Sequence, residues 1–142
     1  MSEFEQAVRE LLETTNTIAS VGLSSNPEKD SHWVVKYLKE KGYKIIPVNP
    51  TASEIMGEKA YPSLSDIPDK VDVVQIFRKS EDVPPVVEEA IKIGARAVWM
   101  QEGIVNEEAG QAAQDAGLFL VMDTCMRAAH QWLKIGQKPI AL

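Results

Sequence analysis

The sequence has 142 residues, of which 44% are hydrophobic and 25% charged, and its net charge is −6 with a pI near 5.0. This composition is ordinary for a soluble globular protein, and the acidic balance argues against non-specific binding to nucleic acid. One cysteine excludes an internal disulfide, and no apolar run approaches the roughly 18 residues of a membrane span. We therefore expect a single domain over residues 1–142, located in the cytoplasm, that binds neither nucleic acid nor membranes.

The first half of the chain alternates between helical and strand patterns. Its predicted elements are a helix at 3–13, a strand at 17–23, a helix at 31–40, a strand at 43–48 and a loop with one short helical turn at 51–67. Ser2 and Glu5 fit a capping box for the first helix, and Gly42 is a typical stop signal for the second. Pro47 is unfavourable inside a central strand, so we expect it at the end of the strand or at an irregularity.

The second half continues the alternation. Its predicted elements are a strand at 71–77, a helix at 81–93, a strand at 97–100, a helix at 107–116, a strand at 118–122 and a last helical turn at 128–133. Five short, continuously apolar strands indicate a parallel sheet that is buried on both faces by helices. We predict a Rossmann-like, doubly wound five-stranded sheet of order 3-2-1-4-5, with a ligand crevice at the switch point between strands 1 and 4.

The stretch IASVGLSSNP, residues 18–27, joins the first strand to the second helix. Gly22 permits a backbone or a ligand to come close, since it has no Cβ. Ser24, Ser25 and Asn26 offer side-chain and backbone hydrogen bonds, and the helix directs its positive N-terminal end at the same place. The pattern fits a tight structural turn, but it also predicts a site for an anionic ligand such as a nucleotide pyrophosphate.

Polar residues cluster where the predicted strands end. In strand order these residues are Gly22, Ser24 and Ser25; Asn49; Arg78 and Lys79; Gln101 and Glu102; and Asp123, Thr124 and Cys125. The glycine fingerprint of dinucleotide-binding enzymes is absent after Gly22, and Asn49 stands where those enzymes carry an acidic residue. This pattern disfavours ordinary NAD binding and is better suited to a phosphorylated ribose.

Several stretches resemble the small single-domain CoA-binding proteins, whose domain is similar to the N-terminal domain of the succinyl-CoA synthetase α subunit and of ADP-forming acyl-CoA synthetases. The matching stretches are VGLSSNP (21–27), YKIIPVNP (43–50), GEKAYPSLSDIPDKVDVVQIFRKSEDVPPVVEEAI (57–91), AVWMQEGIVNEEA (97–109) and VMDTC (121–125). The resemblance implies a Rossmann-like fold that binds coenzyme A.

The resemblance also implies a role for each strand end. It implies phosphate contacts for Gly22, Ser24, Ser25 and Asn26, a border to the adenosine for Val48, Asn49 and Pro50, a place along the nucleotide for Ile76, Phe77 and Arg78, and a place near the pantetheine arm for Gln101, Glu102 and Gly103.

No catalytic residue is predicted. The larger synthetases use a phosphorylated histidine in a further domain, and neither His32 nor His130 lies in a matching motif or at a metal-binding spacing. We therefore expect a protein that binds CoA or a short acyl-CoA without its own catalytic activity and whose protein partner is unknown. Two alternatives are an NAD(P)-dependent or acyl-CoA-using enzyme and a CoA-sensing regulatory module.

Some residues have two interpretations from sequence. Arg78 suits a phosphate, but it also fits a solvated loop or an ion pair with Glu81 or Asp82. Cys125 is either a packing residue at a strand end or a thiol near the pantetheine path that forms a mixed disulfide with CoA under oxidation. The tryptophans are expected in the core or in a subunit contact; they are Trp33, Trp99 and Trp132.

Overall fold

The computed structural model describes residues 1–138, so residues 139–142 of the predicted domain lie outside the described residues. The helices are α1 (Glu3–Thr14), α2 (Asp30–Glu40), α3 (Val83–Lys92), α4 (Glu107–Asp115) and α5 (Met126–Trp132). The strands are β1 (Thr17–Val21), β2 (Lys44–Val48), β3 (Glu54–Ile55), β4 (Glu58–Lys59), β5 (Val73–Ile76), β6 (Ala97–Met100) and β7 (Phe119–Val121).

The predicted element types are confirmed with small shifts at their ends. The capping box of α1 forms, because Ser2 Oγ accepts from Glu5 N while the Glu5 carboxylate accepts from Ser2 N. The predicted short turn within residues 51–67 is a 3₁₀ turn at Leu64–Asp66. The antiparallel hairpin of β3 and β4 was not predicted, because two-residue strands are too short to show a period.

The main sheet is parallel and five-stranded, as predicted, but its strand order differs from the prediction. The order is β2-β1-β5-β6-β7, which is 2-1-3-4-5 in the numbering of the predicted strands and not 3-2-1-4-5. The third predicted strand, β5, pairs with β1 through the register Ile18 to Val73 and does not extend the sheet beyond β2. The switch point therefore lies between β1 and β5.

Pro47 gives a physical reason for this order. It lies within β2, and its carbonyl accepts from Tyr61 N at 3.0 Å on the side of the strand away from β1. A proline lacks the N–H of a ladder bond and is tolerated on an edge strand, whereas the predicted order would have made β2 internal. On the outer side of β2, a parallel bridge joins Val48 to Tyr61.

Helices cover both faces of the sheet and complete two apolar cores. One core joins α1, α2 and α5 to residues such as Ile18, Ile45 and Trp99. The other joins α3 and α4 to residues such as Val74 and Val98. Strand residues next to each other in sequence contribute to opposite cores, which explains the continuous hydrophobicity of the strands. Among the described helices, none has the length and hydrophobicity needed to cross a bilayer.

The three tryptophans divide between core and surface. Trp99 is fully buried in β6, as predicted for a core residue. Trp33 and Trp132 leave 55% and 69% of their surface exposed, so they are not core residues in this chain. The alternative of a subunit contact stays a prediction for these two residues.

His130 of α5 is buried against Tyr37 of α2 and Tyr43, the residue before β2. Only 1% of its surface is exposed. Its Nδ1 lies 2.7 Å from the hydroxyl of Tyr37, and its Nε2 is buried without a partner in residues 1–138. Burial, with a smaller effect of the Lys41 charge, lowers the pKa of His130 below its ordinary value of 6.5.

We predict that the free energy of unfolding falls as the pH drops below about 6.5, because the unfolded chain takes up a proton on His130 that the folded chain refuses. The stabilisation that comes from burying neutral His130 is fully present above that pH and is lost as the pH falls through the pKa of the folded state. Urea unfolding of the wild type and of His130→Phe between pH 5 and 7.5 measures it. The variant should show a shallower loss on acidification, and equal slopes would contradict the assignment.

Candidate functional site

A cleft of about 920 Å³ opens at the carboxyl edge of the main sheet, where the switch point lies. This volume falls in the range of roughly 300–1,000 Å³ that is typical of small-molecule sites. Six residues at predicted strand ends contribute to its lining: Gly22, Ser24, Phe77, Gln101, Glu102 and Cys125. The topology therefore brings the ends of the first, third, fourth and fifth predicted strands to one cleft.

Gly22 sits where the ends of β1 and β5 come closest. Its φ is +86°, and an added Cβ would lie 2.7 Å from the carbonyl oxygen of Phe77. Its N–H donates to the carbonyl of Val48 at 3.0 Å. The positive φ and the nearby Phe77 carbonyl both favour glycine at this position, where β1 approaches β5 at the floor of the cleft.

The loop after Gly22 uses its polar side chains to order itself. Ser31 Oγ accepts from Ser24 N at 3.3 Å, Ser24 Oγ accepts from Asn26 N at 3.0 Å, and Asn26 Oδ1 accepts from Glu28 N at 3.0 Å. Ser25 and Asn26 are exposed beside the cleft and do not line it. The predicted turn is confirmed as a structure, while ligand contacts of these side chains stay a prediction.

The N-terminus of α2 faces the cleft without a side-chain cap. Its N-cap residue is Lys29, which makes no side-chain hydrogen bond to the helix, and Lys29, Asp30 and Ser31 all line the cleft. The first N–H groups of a helix have no partner within the helix, and they carry its positive partial charge. This end of the cleft is therefore suited to an anion.

The residues at the end of β2 lie outside the cleft lining. The Asn49 side chain donates to Leu23 O at 3.2 Å and accepts from Thr51 N at 2.9 Å, so it clamps two loops together. Val48 is buried, and Pro50 is exposed outside the cleft lining. Their predicted position beside an adenosine stays a prediction.

The end of β5 contributes Phe77 to the cleft. Ile76 is fully buried in the core, so its side chain does not reach the cleft surface. Arg78 is half-buried beside Gly22 and forms no ion pair in the part of the chain that the structure describes. The alternative in which it pairs with Glu81 or Asp82 is therefore wrong, and a ligand contact stays a prediction.

The residues after β6 have three different environments. Gln101 is 5% exposed and lines the cleft, and its Oε1 accepts from Met126 N at 2.9 Å. Glu102 is exposed at the cleft wall. Gly103 lies outside the lining and donates its N–H to the Asp123 carboxylate at 2.7 Å, which ties this turn to the end of β7. The side chain of Gln101 is thus more restricted than that of Glu102.

Cys125 is half-buried and lines the cleft. The segment that carries it is held by Trp99, whose Nε1 donates to the carbonyl of Thr124 at 2.7 Å. The predicted location of Cys125 at the carboxyl edge of the sheet is confirmed. Its reaction with the thiol of CoA stays a prediction.

Sequence reasoning missed Arg127 in the first turn of α5, which lines the cleft as a cation together with Lys29 before α2. The lining anions are Asp30 and Glu102, and Glu102 had been predicted from the end of the fourth strand. The exposed Trp33 on α2 forms an apolar wall. Arg127 stands two residues after a strand-end cysteine, a position that should have marked it as a candidate. No cluster of three or more potential metal ligands occurs among residues 1–138.

The three-layer parallel fold with a cleft at its switch point defines a Rossmann-like α/β domain. The model of the CoA binding domain family matches residues 16–131. The chain therefore belongs to the CoA-binding domain family, which confirms the resemblance drawn from the sequence.

Relatives of this chain include small proteins and parts of large enzymes. It is 45% identical over 123 residues to the uncharacterized protein YneT of Bacillus subtilis, covering 87% of this chain and 91% of that protein. A hypothetical protein from Pyrococcus horikoshii aligns with a TM-score of 0.89 at 45% identity over 92% of both chains. An ADP-forming acetate–CoA ligase II of Archaeoglobus fulgidus is 35% identical over 100 residues, which are 69% of this chain and 15% of the ligase.

We predict that Gly22→Ala destabilises the fold by more than a positive φ alone accounts for. Gly117 is the matched control, because its φ is +87° and an added Cβ would meet nothing within 4 Å. Gly117→Ala should cost about 1–2 kcal/mol. Gly22→Ala should cost about 1–3 kcal/mol more, since its Cβ would overlap the Phe77 carbonyl. Urea unfolding of both variants measures the difference, and equal costs would show that the two strands separate freely.

Proposed function

We propose that this chain binds coenzyme A or a short acyl-CoA in the cleft at the carboxyl edge of the sheet, without catalytic activity of its own. The proposal treats the chain as a single nucleotide-binding domain that works in the cytoplasm. Its support is the family to which the chain belongs, together with the fit between the cleft and an anionic nucleotide.

The observation that carries the proposal is the open N-terminus of α2 beside the turn at Gly22. A helix end without a side-chain cap, with Lys29 as its N-cap residue, attracts a phosphate group. Arg127 adds a second cation to the same cleft. The predicted phosphate contacts of Ser24 and its neighbours are compatible with this geometry, because a serine hydroxyl that accepts one bond can still donate another.

The rest of the cleft suits the non-phosphate parts of such a ligand. Phe77, Trp33 and Ile104 offer apolar surface for a ring or an alkyl chain, and Gln101 offers a polar group further along the wall. In the proposed complex the adenosine half lies toward β2 and the pantetheine arm lies along the ends of β6 and β7. This arrangement keeps the roles that the resemblance implied for the strand ends.

The same cleft supports binding without catalysis. Cys125 is the thiol in its lining, and a nucleophilic cysteine needs a base within hydrogen-bond reach. Neither histidine lines the cleft, and His130 is engaged with Tyr37 on α2. The relatives that are ligases by name are far longer than this chain, so their activity is not carried over.

We predict that CoA binds more tightly than either NAD or dephospho-CoA. CoA carries a 3′-phosphate that the other two ligands lack, and this phosphate can interact with the cations around the cleft. Isothermal titration calorimetry with the three ligands under identical salt conditions tests the order. Equal affinity for CoA and dephospho-CoA would show that the protein makes no specific contact with the 3′-phosphate. Tight NAD binding without CoA binding would favour the dinucleotide enzyme instead.

We predict that Arg78→Ala weakens CoA binding by about 1.5–3 kcal/mol, the range for a hydrogen bond to a charged group. The stability of the fold should change little, because Arg78 forms no ion pair among the described residues. Arg96→Ala is the control, since Arg96 precedes β6 and therefore lies at the opposite edge of the sheet. An unchanged affinity for Arg78→Ala with a loss for Arg127→Ala would assign the phosphate contact to Arg127.

A further inference from the structure

A row of polar side chains crosses the centre of the otherwise apolar sheet. Ser20 on β1, Gln75 on β5 and Gln101 after β6 are 0%, 0% and 5% exposed. Ser20 Oγ donates to Gln75 Oε1 at 2.8 Å, and Gln75 Nε2 donates to Gln101 Oε1 at 3.2 Å. Buried polar groups are costly unless they are bonded, so three in a row require an explanation beyond packing.

The orientation of the Gln101 amide follows from its neighbours. The backbone N–H of Met126 can only donate, and it donates to Gln101 at 2.9 Å, so the atom that faces it is the amide oxygen. That oxygen accepts a second bond from Gln75. The amide nitrogen is therefore the remaining end, and it has no partner in residues 1–138, while Gln101 lines the cleft.

We propose that the Gln101 amide nitrogen donates a hydrogen bond to a neutral carbonyl oxygen of the ligand, and that Gln75 and Ser20 are positioning residues that hold it in this orientation. The proposal rests on the proposed function. In a CoA-type ligand, carbonyl oxygens occur in the pantetheine amides and in an acyl thioester, and the adenosine 3′,5′-bisphosphate half has none. Glu102 lines the same wall and would repel a phosphate there.

Gln101→Glu is the decisive variant, because it preserves the bonds that face the protein. One carboxylate oxygen still accepts from Met126 N and from Gln75, while the other replaces the donor in the cleft with an acceptor. Gln114→Glu makes the same change of charge at an exposed position of α4 and serves as the control. Binding of CoA, acetyl-CoA and adenosine 3′,5′-bisphosphate is measured by calorimetry at pH 8.5, where the carboxylate is ionised.

We expect Gln101→Glu to weaken acetyl-CoA binding at least about tenfold and to leave the affinity for adenosine 3′,5′-bisphosphate unchanged. Equal losses for CoA and acetyl-CoA would identify a pantetheine carbonyl as the acceptor, and a loss confined to acetyl-CoA would identify the thioester carbonyl. Unchanged binding of both, or an equal loss for adenosine 3′,5′-bisphosphate, would overturn the inference. A wild-type protein that binds none of the three ligands would overturn the proposed function itself.

Ser20→Ala provides a second test that does not depend on the folding of the Glu variant. It removes the hydroxyl group at the start of the row and leaves the Gln101 side chain in place. We expect a loss of about two- to threefold for acetyl-CoA and none for adenosine 3′,5′-bisphosphate, because a less firmly held amide loses only part of its bond. Thermal unfolding of each variant accompanies the titrations, and a loss of affinity equal for all ligands would indicate a purely structural role.

Discussion

The contact between the Gly22 backbone and the Phe77 carbonyl determines where this molecule can hold a ligand. Parallel strands β1 and β5 run side by side to this point, and their chains then turn to opposite faces of the sheet. The divergence opens a cleft that no helix fills, and α2 presents its positive end there because it begins directly after the loop. Any side chain at position 22 would separate the strands and alter the floor of the cleft.

The sequence predicted the layers of the fold well and the order of its strands poorly. Continuous apolar runs such as AVWM indicate burial on both faces wherever a strand lies in the sheet, so they carry no information about its neighbours. Pro47 did carry such information, because a proline within β2 favours an edge position. With β2 at the edge, β5 cannot extend the sheet beyond β2, and it pairs with β1 instead. The prediction placed Pro47 at the end of the strand or at an irregularity, and it did not use the proline as a signal for an edge position.

The candidate site was predicted only in part, for a different physical reason. A residue at a strand end is brought to the correct edge by topology, and this holds for Ser24, Phe77 and Gln101. Whether its side chain faces the cleft depends on hydrogen bonds that no pattern reveals, as with Asn49, whose amide is used to join two loops. Cations such as Arg127 come from helices that follow the strands, and their placement requires the three-dimensional arrangement.

The polar row of Ser20, Gln75 and Gln101 shows how the core and the cleft are linked. Three apolar residues of similar size would pack in the same space and avoid the desolvation of buried hydroxyl and amide groups. The row is instead fully bonded from Ser20 to the oxygen of Gln101, and its one unpartnered donor among the described residues belongs to the member that lines the cleft. A buried network that ends in a single directed donor restricts the amide to one orientation, and a ligand then loses less freedom on binding to it. The interior of the sheet therefore contributes to recognition, although only Gln101 reaches the cleft.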